Sequence, residues 1–221
     1  MIQKSTIDFL KTLKKNNNRD WFDKNKEKYL AAKQNVDEFV DELIKSFSTF
    51  NKSLIGLRAK DCVFRIYRDI RFSKNKAPYK TNMGASINAG GKKAENAGYY
   101  IHIEPGEAFL AGGVWMPPAD QLKKIRQEIV YNGKDFKKIL AEKNFKKQFK
   151  ALDESEGYKL SRPPKGFDKN HPDIELLKFN SYIVWKKYND KDILSKNFVK
   201  KVSADAKVMK AFINFLNTAL D

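Results

Sequence analysis

The chain has 221 residues, with 44 Lys plus Arg against 27 Asp plus Glu and a formal net charge of +17. Its 41 % hydrophobic and 13 % aromatic content fits a packed globule and excludes an intrinsically disordered chain. A single cysteine, Cys62, excludes an internal disulfide framework and points to a reducing compartment.

The residues following Met1 hold no apolar run of signal-peptide type, and no stretch of ~18 uncharged apolar residues occurs anywhere. The sequence therefore predicts a soluble cytoplasmic protein without a membrane partner, folded as one domain over residues 1–221.

In chain order, Ser5 to Asp8 matches a helix-capping pattern and is followed by Ile7, Leu10 and Leu13 at helical spacing. Asn16, Asn17 and Asn18 interrupt it. A longer helix is predicted from about Asp20 to Phe47, where Phe22, Tyr29, Val36, Phe39, Val40, Leu43 and Phe47 repeat every ~3.6 residues. Trp21 and Phe22 at its start read as core anchors. From Cys62 to Phe72 the period changes to two, which predicts a strand. Phe64, Ile66, Ile70 and Phe72 share one face; Arg65, Tyr67, Asp69 and Arg71 share the other. Further strands are predicted over 82–89, 98–104, 109–115 and 181–187, with Gly112 and Gly113 marking a bulge or a close backbone approach. In the second of these, Tyr100, His102 and Glu104 alternate with Tyr99, Ile101 and Ile103. Pro117 and Pro118 introduce a helix carrying Leu122, Ile125 and Ile129, and basic helices with Phe136, Phe145 and Phe149 follow. A loop over 153–173 precedes a terminal helix over roughly 196–220. The predicted fold class is α+β, with a mostly antiparallel central sheet covered by the long N-terminal helix and the C-terminal helices.

Only seven of the 44 basic residues are Arg, and three of them are Arg65, Arg68 and Arg71. Arg presents a planar fork that grips phosphate or carboxylate bidentately. On the strand reading, Arg65 and Arg71 could converge on an anion, with Lys76 and Lys80 adding charge and Tyr67, Tyr79 and Tyr100 adding hydroxyls. The alternative is that Arg65 and Arg71 flank Asp69 in a structural ion-pair network. Arg68, on the apolar face, would need a buried helix carboxylate as partner. Asp69 and His102 are the candidate acid and base. A metal held by His102 with Asp69 and Glu104 lacks ligand spacing, so no metal is expected. His171, beside Pro172, reads as a turn former.

No phosphate-binding loop, dinucleotide fingerprint, nucleophile elbow or zinc-protease motif is present. The expectation is a site for a small phosphate- or carboxylate-bearing ligand, with no cofactor identified. An alternative is a nucleic-acid-associated protein that uses a diffuse basic surface including Lys137, Lys138, Lys146 and Lys147. A third is a protein-binding module with an exposed apolar patch.

The stretch FRIYRDIRFSKNKAPYKT from Phe64 to Thr81 is preceded by Asn18-Arg19-Asp20-Trp21-Phe22 and Tyr29. It is followed by Gly98-Tyr99-Tyr100, by Pro163-Pro164-Lys165-Gly166-Phe167 and by His171-Pro172. Taken in order over almost the whole chain, these motifs resemble a bacterial family catalogued as domain of unknown function 2461. The resemblance implies a single cytoplasmic α+β domain and brings no activity, substrate or cofactor. Arg65, Arg68, Asp69, Arg71, Lys76, Pro78, Tyr79 and Lys80 match the family's central motif, with Pro78 expected to be structural. The family often has Asp where this sequence has Asn75, which leaves Asp69 as the acidic candidate.

Overall fold

The computed structural model describes residues 1–221. It contains helices α1 (Lys4–Lys15), α2 (Arg19–Lys24), α3 (Lys26–Phe47), α4 (Ala59–Cys62), α5 (Ala119–Ala141), α6 (Lys143–Phe149), α7 (Ile174–Leu177), α8 (Asp190–Ile193) and α9 (Phe198–Leu220). The strands are β1 (Met83–Ile87), β2 (Gly98–Ile103), β3 (Phe109–Val114) and β4 (Tyr182–Lys187). They form one antiparallel sheet in the order β1-β2-β3-β4, so the fold class is α+β. No helix is long and apolar enough to cross a membrane.

The chain divides into two compact units, each assembled from three segments. The first comprises residues 1–94, 100–110 and 187–204. Its core is the buried face of α1 (Ile7, Leu10, Leu13) with that of α3 (Val36, Phe39, Val40, Leu43, Phe47). Phe39 stacks on Phe198 at 5.3 Å between ring centroids. Buried Asn35 ties down the N-terminus, because its Oδ1 accepts from the Gln3 amide at 2.8 Å and from Thr6 Oγ1 at 2.9 Å. That network starts α1 at Lys4, with Gln3 as an N-cap that offers no side-chain bond. The capping pattern at Ser5 is thus not used. The long helix predicted from residue 20 is interrupted at Asn25, which separates α2 from α3, and Asn18 caps α2 by accepting from the Trp21 amide.

The second unit comprises residues 95–99, 111–186 and 205–221. Phe136, Phe145 and Phe212 form its aromatic centre. Gly113 has φ +126, and a Cβ there would stand 1.9 Å from the Tyr182 carbonyl oxygen. Only glycine allows β3 to come this close to β4. The 153–173 segment is irregular, and Lys159 forms a single bridge with Phe179. His171 does fix a turn: its Nδ1 accepts from the Asp173 amide at 3.1 Å.

The main departure from the sequence reading lies at 62–72, which is not a strand. Cys62 ends α4, and the following residues fold back on 77–85 as a ragged arm. The Phe64 amide donates to Gly84, the Lys80 amide to Ile66 and the Arg68 amide to Pro78, so the register slips by two residues between the first pairing and the others. A slipped register leaves isolated bridges in place of a ladder. Ile66 is buried, but Phe72, expected on the same apolar face, is 95 % exposed.

Candidate functional site

The arm and residues 100–104, all within the first unit, hold every site residue expected from the sequence except the structural Trp21. Asn17 clamps the arm to the helical layer. It accepts from the Tyr79 amide at 3.1 Å and donates to the Tyr79 carbonyl at 2.9 Å. Both backbone hydrogen-bonding groups of Tyr79 are thereby paired by one side chain. The Tyr79 ring is buried and stacks on Phe22 at 3.9 Å. Tyr67 closes on the same pair, with its ring 5.5 Å from that of Tyr79 and 6.0 Å from that of Phe22. Both tyrosines thus spend their rings on an aromatic cluster. Phe22 is the buried anchor of this cluster; Trp21 is partly exposed and stacks on Phe9 at 6.1 Å.

The arm tip corrects the arginine clamp. Arg71 folds back on Asp69 in a bidentate pair, Nε to Oδ1 at 3.0 Å and Nη2 to Oδ2 at 2.6 Å. The two side chains are 76 % and 49 % exposed. Two residues apart in a turn, they reach each other more easily than Arg71 reaches an anion beside Arg65. The hydrogen bonds from Arg71 hold the Asp69 carboxyl below its ordinary range, which leaves Asp69 an ionised turn residue and a poor proton donor near neutrality. Arg68 has no carboxylate partner either. Its guanidinium donates to the Ala77 carbonyl at 2.9 Å and to Ser73 Oγ at 3.2 Å, which ties it to the arm itself. Lys76 donates to the Ile70 carbonyl at 3.1 Å, and the Pro78 carbonyl receives the Arg68 amide. Arg68, Lys76 and Pro78 therefore hold the tip together.

Of the cations expected at the site, Arg65 and Lys80 remain uncommitted. Arg65 is exposed and Lys80 half-buried; neither makes a salt bridge, and no side-chain hydrogen bond engages either. Lys80 lies over the Phe64 ring at 5.4 Å. Burial, reinforced by the neighbouring Arg65 charge, pushes its ammonium below the ordinary lysine range.

Along β2 and the residue that follows it, the period of two puts Tyr100, His102 and Glu104 in line on one face, as the alternation predicts. Tyr100 Oη lies 3.0 Å from His102 Nδ1, and His102 Nε2 lies 3.1 Å from Glu104 Oε2. Glu104 Oε1 accepts from Thr81 Oγ1 at 3.0 Å and pairs with Lys14 at 3.4 Å. Burial raises the Glu104 carboxyl, but hydrogen bonds from His102 and Thr81, with electrostatic attraction to His102 and to Lys14, outweigh it and lower it overall. An ionised Glu104 only accepts, so Nε2 carries a proton, and in the uncharged imidazole form this leaves Nδ1 as the acceptor. The hydrogen-bond network thereby assigns the tautomer. Tyr100 then donates to His102, and burial with the Glu104 charge pushes its phenol up to about 12. Such a line can carry a proton from the Tyr100 oxygen towards Glu104.

Packing holds the line in place. Phe109 stacks on the imidazole at 4.7 Å and 13°. Phe64 lies 6.3 Å from the Tyr100 ring. A Cβ on Gly84 would be 2.4 Å from Tyr100 Oη, so glycine at 84 leaves the space that the hydroxyl fills. Sequence reasoning found the β2 trio but not Phe109, Thr81, Lys14, Asn17 or Gly84, whose roles depend on long-range pairing. No three His, Cys, Asp or Glu side chains are grouped to hold a metal ion. Cys62 is buried, and its thiol is pushed up to about 11 by burial first and then by Asp61, as suits a small core residue.

No curated protein and no solved structure matches the chain. Over residues 5–215 the chain matches the family described as Conserved hypothetical protein (DUF2461). That span takes in the arm, β2 and almost all of the helical layer, and the chain belongs to this family.

Proposed function

We propose that the protein binds a small anionic ligand, carrying phosphate or carboxylate, at Arg65 and Lys80 beside the Tyr100-His102-Glu104 line, and that it does so in the cytoplasm. The observation that carries this reading is the pair of cations itself. Arg65 and Lys80 repel each other, and no carboxylate neutralises either. Like charges left together cost stability unless something relieves them. An anion seated between them would offset the repulsion and oppose the lowering of the Lys80 ammonium. Arg71, committed to Asp69, has no part in this version of the site.

The test is a thermal-shift titration with inorganic phosphate, sulfate and citrate on wild type, Arg65→Gln and Lys80→Gln. A ligand at ~100 times its dissociation constant adds about 2.7 kcal/mol, which for a domain of this size raises the melting midpoint by roughly 5–11 °C. The expected result is a shift with at least one anion that disappears in both variants. Stabilisation by short oligonucleotides alone, fading with salt and surviving both substitutions, would replace this reading with diffuse nucleic-acid binding through exposed lysines such as Lys138, Lys146 and Lys147. Lys137 is less available for that role, being paired with Asp173 at 2.6 Å.

A further inference from the structure

We infer that the ligand of this site carries a hydroxyl next to its anionic group, and that this hydroxyl donates to the Tyr100 oxygen while the tyrosine's own proton is held by His102. The inference rests on the anion-binding reading above and adds the substrate class: hydroxylated small anions, such as polyol phosphates and hydroxy acids.

The direction of the hydrogen bonds carries the argument. Glu104 takes protons from Thr81 and His102, which leaves Nδ1 bare, and the Tyr100 proton goes to Nδ1 at 3.0 Å. The donor of Tyr100 is thus consumed inside the line. What the phenol oxygen has left is acceptor capacity. A bare phosphate or carboxylate oxygen offers no proton and would meet that oxygen as a second acceptor, whereas a ligand hydroxyl pairs with it.

Location supports the same conclusion. The Phe64 ring has Lys80 Nζ over it and Tyr100 beside it, and the Phe64 amide is bonded to the Gly84 carbonyl at 2.9 Å. Lys80 and the Tyr100 ring therefore meet the same aromatic ring. The groups that set the charge around His102 are Tyr100 and Glu104 on its own strand and, through Glu104, Lys14 of α1. The stacked Phe109 of β3 is uncharged.

Isothermal titration calorimetry on the full chain would compare glycerol 3-phosphate with propyl phosphate, and lactate with propionate. Within each pair the anionic group is shared and the hydroxyl is not. In at least one pair the hydroxylated member should bind about 3–10-fold tighter, the worth of one net hydrogen bond. Tyr100→Phe removes the acceptor oxygen, so it should abolish that preference and let the plain anion bind at least as tightly as it does in wild type. In His102→Leu, Tyr100 regains a free donor, so the plain anion should tighten and the preference should collapse.

Equal binding within both pairs, or a preference that survives Tyr100→Phe, overturns the inference while the anion site stands. Failure of all four compounds to bind refutes the anion site and the inference with it. Nitrogen NMR of His102 in unliganded wild type is independent of how the variants fold: a protonated Nε2 with a bare Nδ1 is expected, and the opposite tautomer would overturn the assignment.

Discussion

Replacing Gly84 with alanine tests the geometry on which the line depends. The new Cβ would lie 2.4 Å from Tyr100 Oη, 3.0 Å from Cζ and 3.1 Å from Cε2. The Gly84 backbone is ordinary strand, so alanine itself is unstrained and gains roughly 0.5–1 kcal/mol of backbone entropy relative to glycine. Against this stand about 1–3 kcal/mol of overpacking and about 1 kcal/mol for the Tyr100–His102 hydrogen bond lost when the ring swings away. Phe64, Phe109 and His102 surround that ring, which leaves it no easy escape. The net expectation is a loss of about 1–3 kcal/mol. In a urea titration with a slope of ~2 kcal/mol/M, the midpoint of the transition that includes β1 and β2 should fall by roughly 0.5–1.5 M. Tyr100→Phe removes the closest atom, so Gly84→Ala should cost less in that background, with a coupling of about 1 kcal/mol across the double-mutant cycle. If Gly84→Ala is as stable as wild type, or the cycle is additive, the Tyr100 hydroxyl does not sit over Gly84 and the direction assigned to the line loses its anchor.

Other perturbations separate scaffold from site. Arg68→Ala should cost about 1 kcal/mol through the lost bond to the Ala77 carbonyl and should speed amide hydrogen exchange over 69–77. Arg71→Ala, which breaks only the exposed pair with Asp69, should leave the melting midpoint unchanged; a drop matching that of Arg68→Ala would show that the tip depends on the pair. Lys80→Met should leave the protein as stable as wild type or more so, because it removes one of two repelling charges, while phosphate-induced stabilisation disappears. Loss of stability in that variant would mean that Lys80 has a structural partner. The Glu104 carboxyl is lowered in the folded state, so the unfolded chain binds that proton first as pH falls. The stabilisation is complete above the unfolded value of about 4.3 and is lost as pH drops through the lower folded value. Glu104→Gln should therefore flatten the acid limb of a melting-midpoint-against-pH curve, and an unchanged limb would remove Glu104 from that dependence.

What the sequence made legible follows from how far each pattern reaches. β2 was readable because Tyr99, Ile101 and Ile103 face a core while Tyr100, His102 and Glu104 do not, so local alternation and tertiary burial agree. At 62–72 the same alternation misled. Phe72 has no core to face, and the segment makes its hydrogen bonds to 77–85 with a slipped register that no local period encodes. Arg68 was expected to seek a carboxylate, but the Ala77 carbonyl and the Ser73 hydroxyl within the arm engage it, and a hydropathy pattern does not register that solution. Gly84 carried no signal at all, since its meaning is the hydroxyl of a residue on the neighbouring strand.

Charge shows the same limit from the other side. A surplus of 17 positive charges says little about where an anion would bind, because most lysines lie on solvated faces. Pairing discriminates better than number. Arg71 looked like the stronger clamp residue, yet it is neutralised at 2.6 Å by an acid two positions away, as an exposed turn readily allows. Arg65 and Lys80 stand together without an acid, and Lys80 is partly withdrawn from water as well, so two effects oppose its charge at once. A fold under selection for stability alone could discharge that conflict by placing a carboxylate beside them, as it did for Arg71. That it leaves the conflict standing at a ring which Tyr100 also meets is the reason to seek the ligand there, and not at the arginine-rich tip.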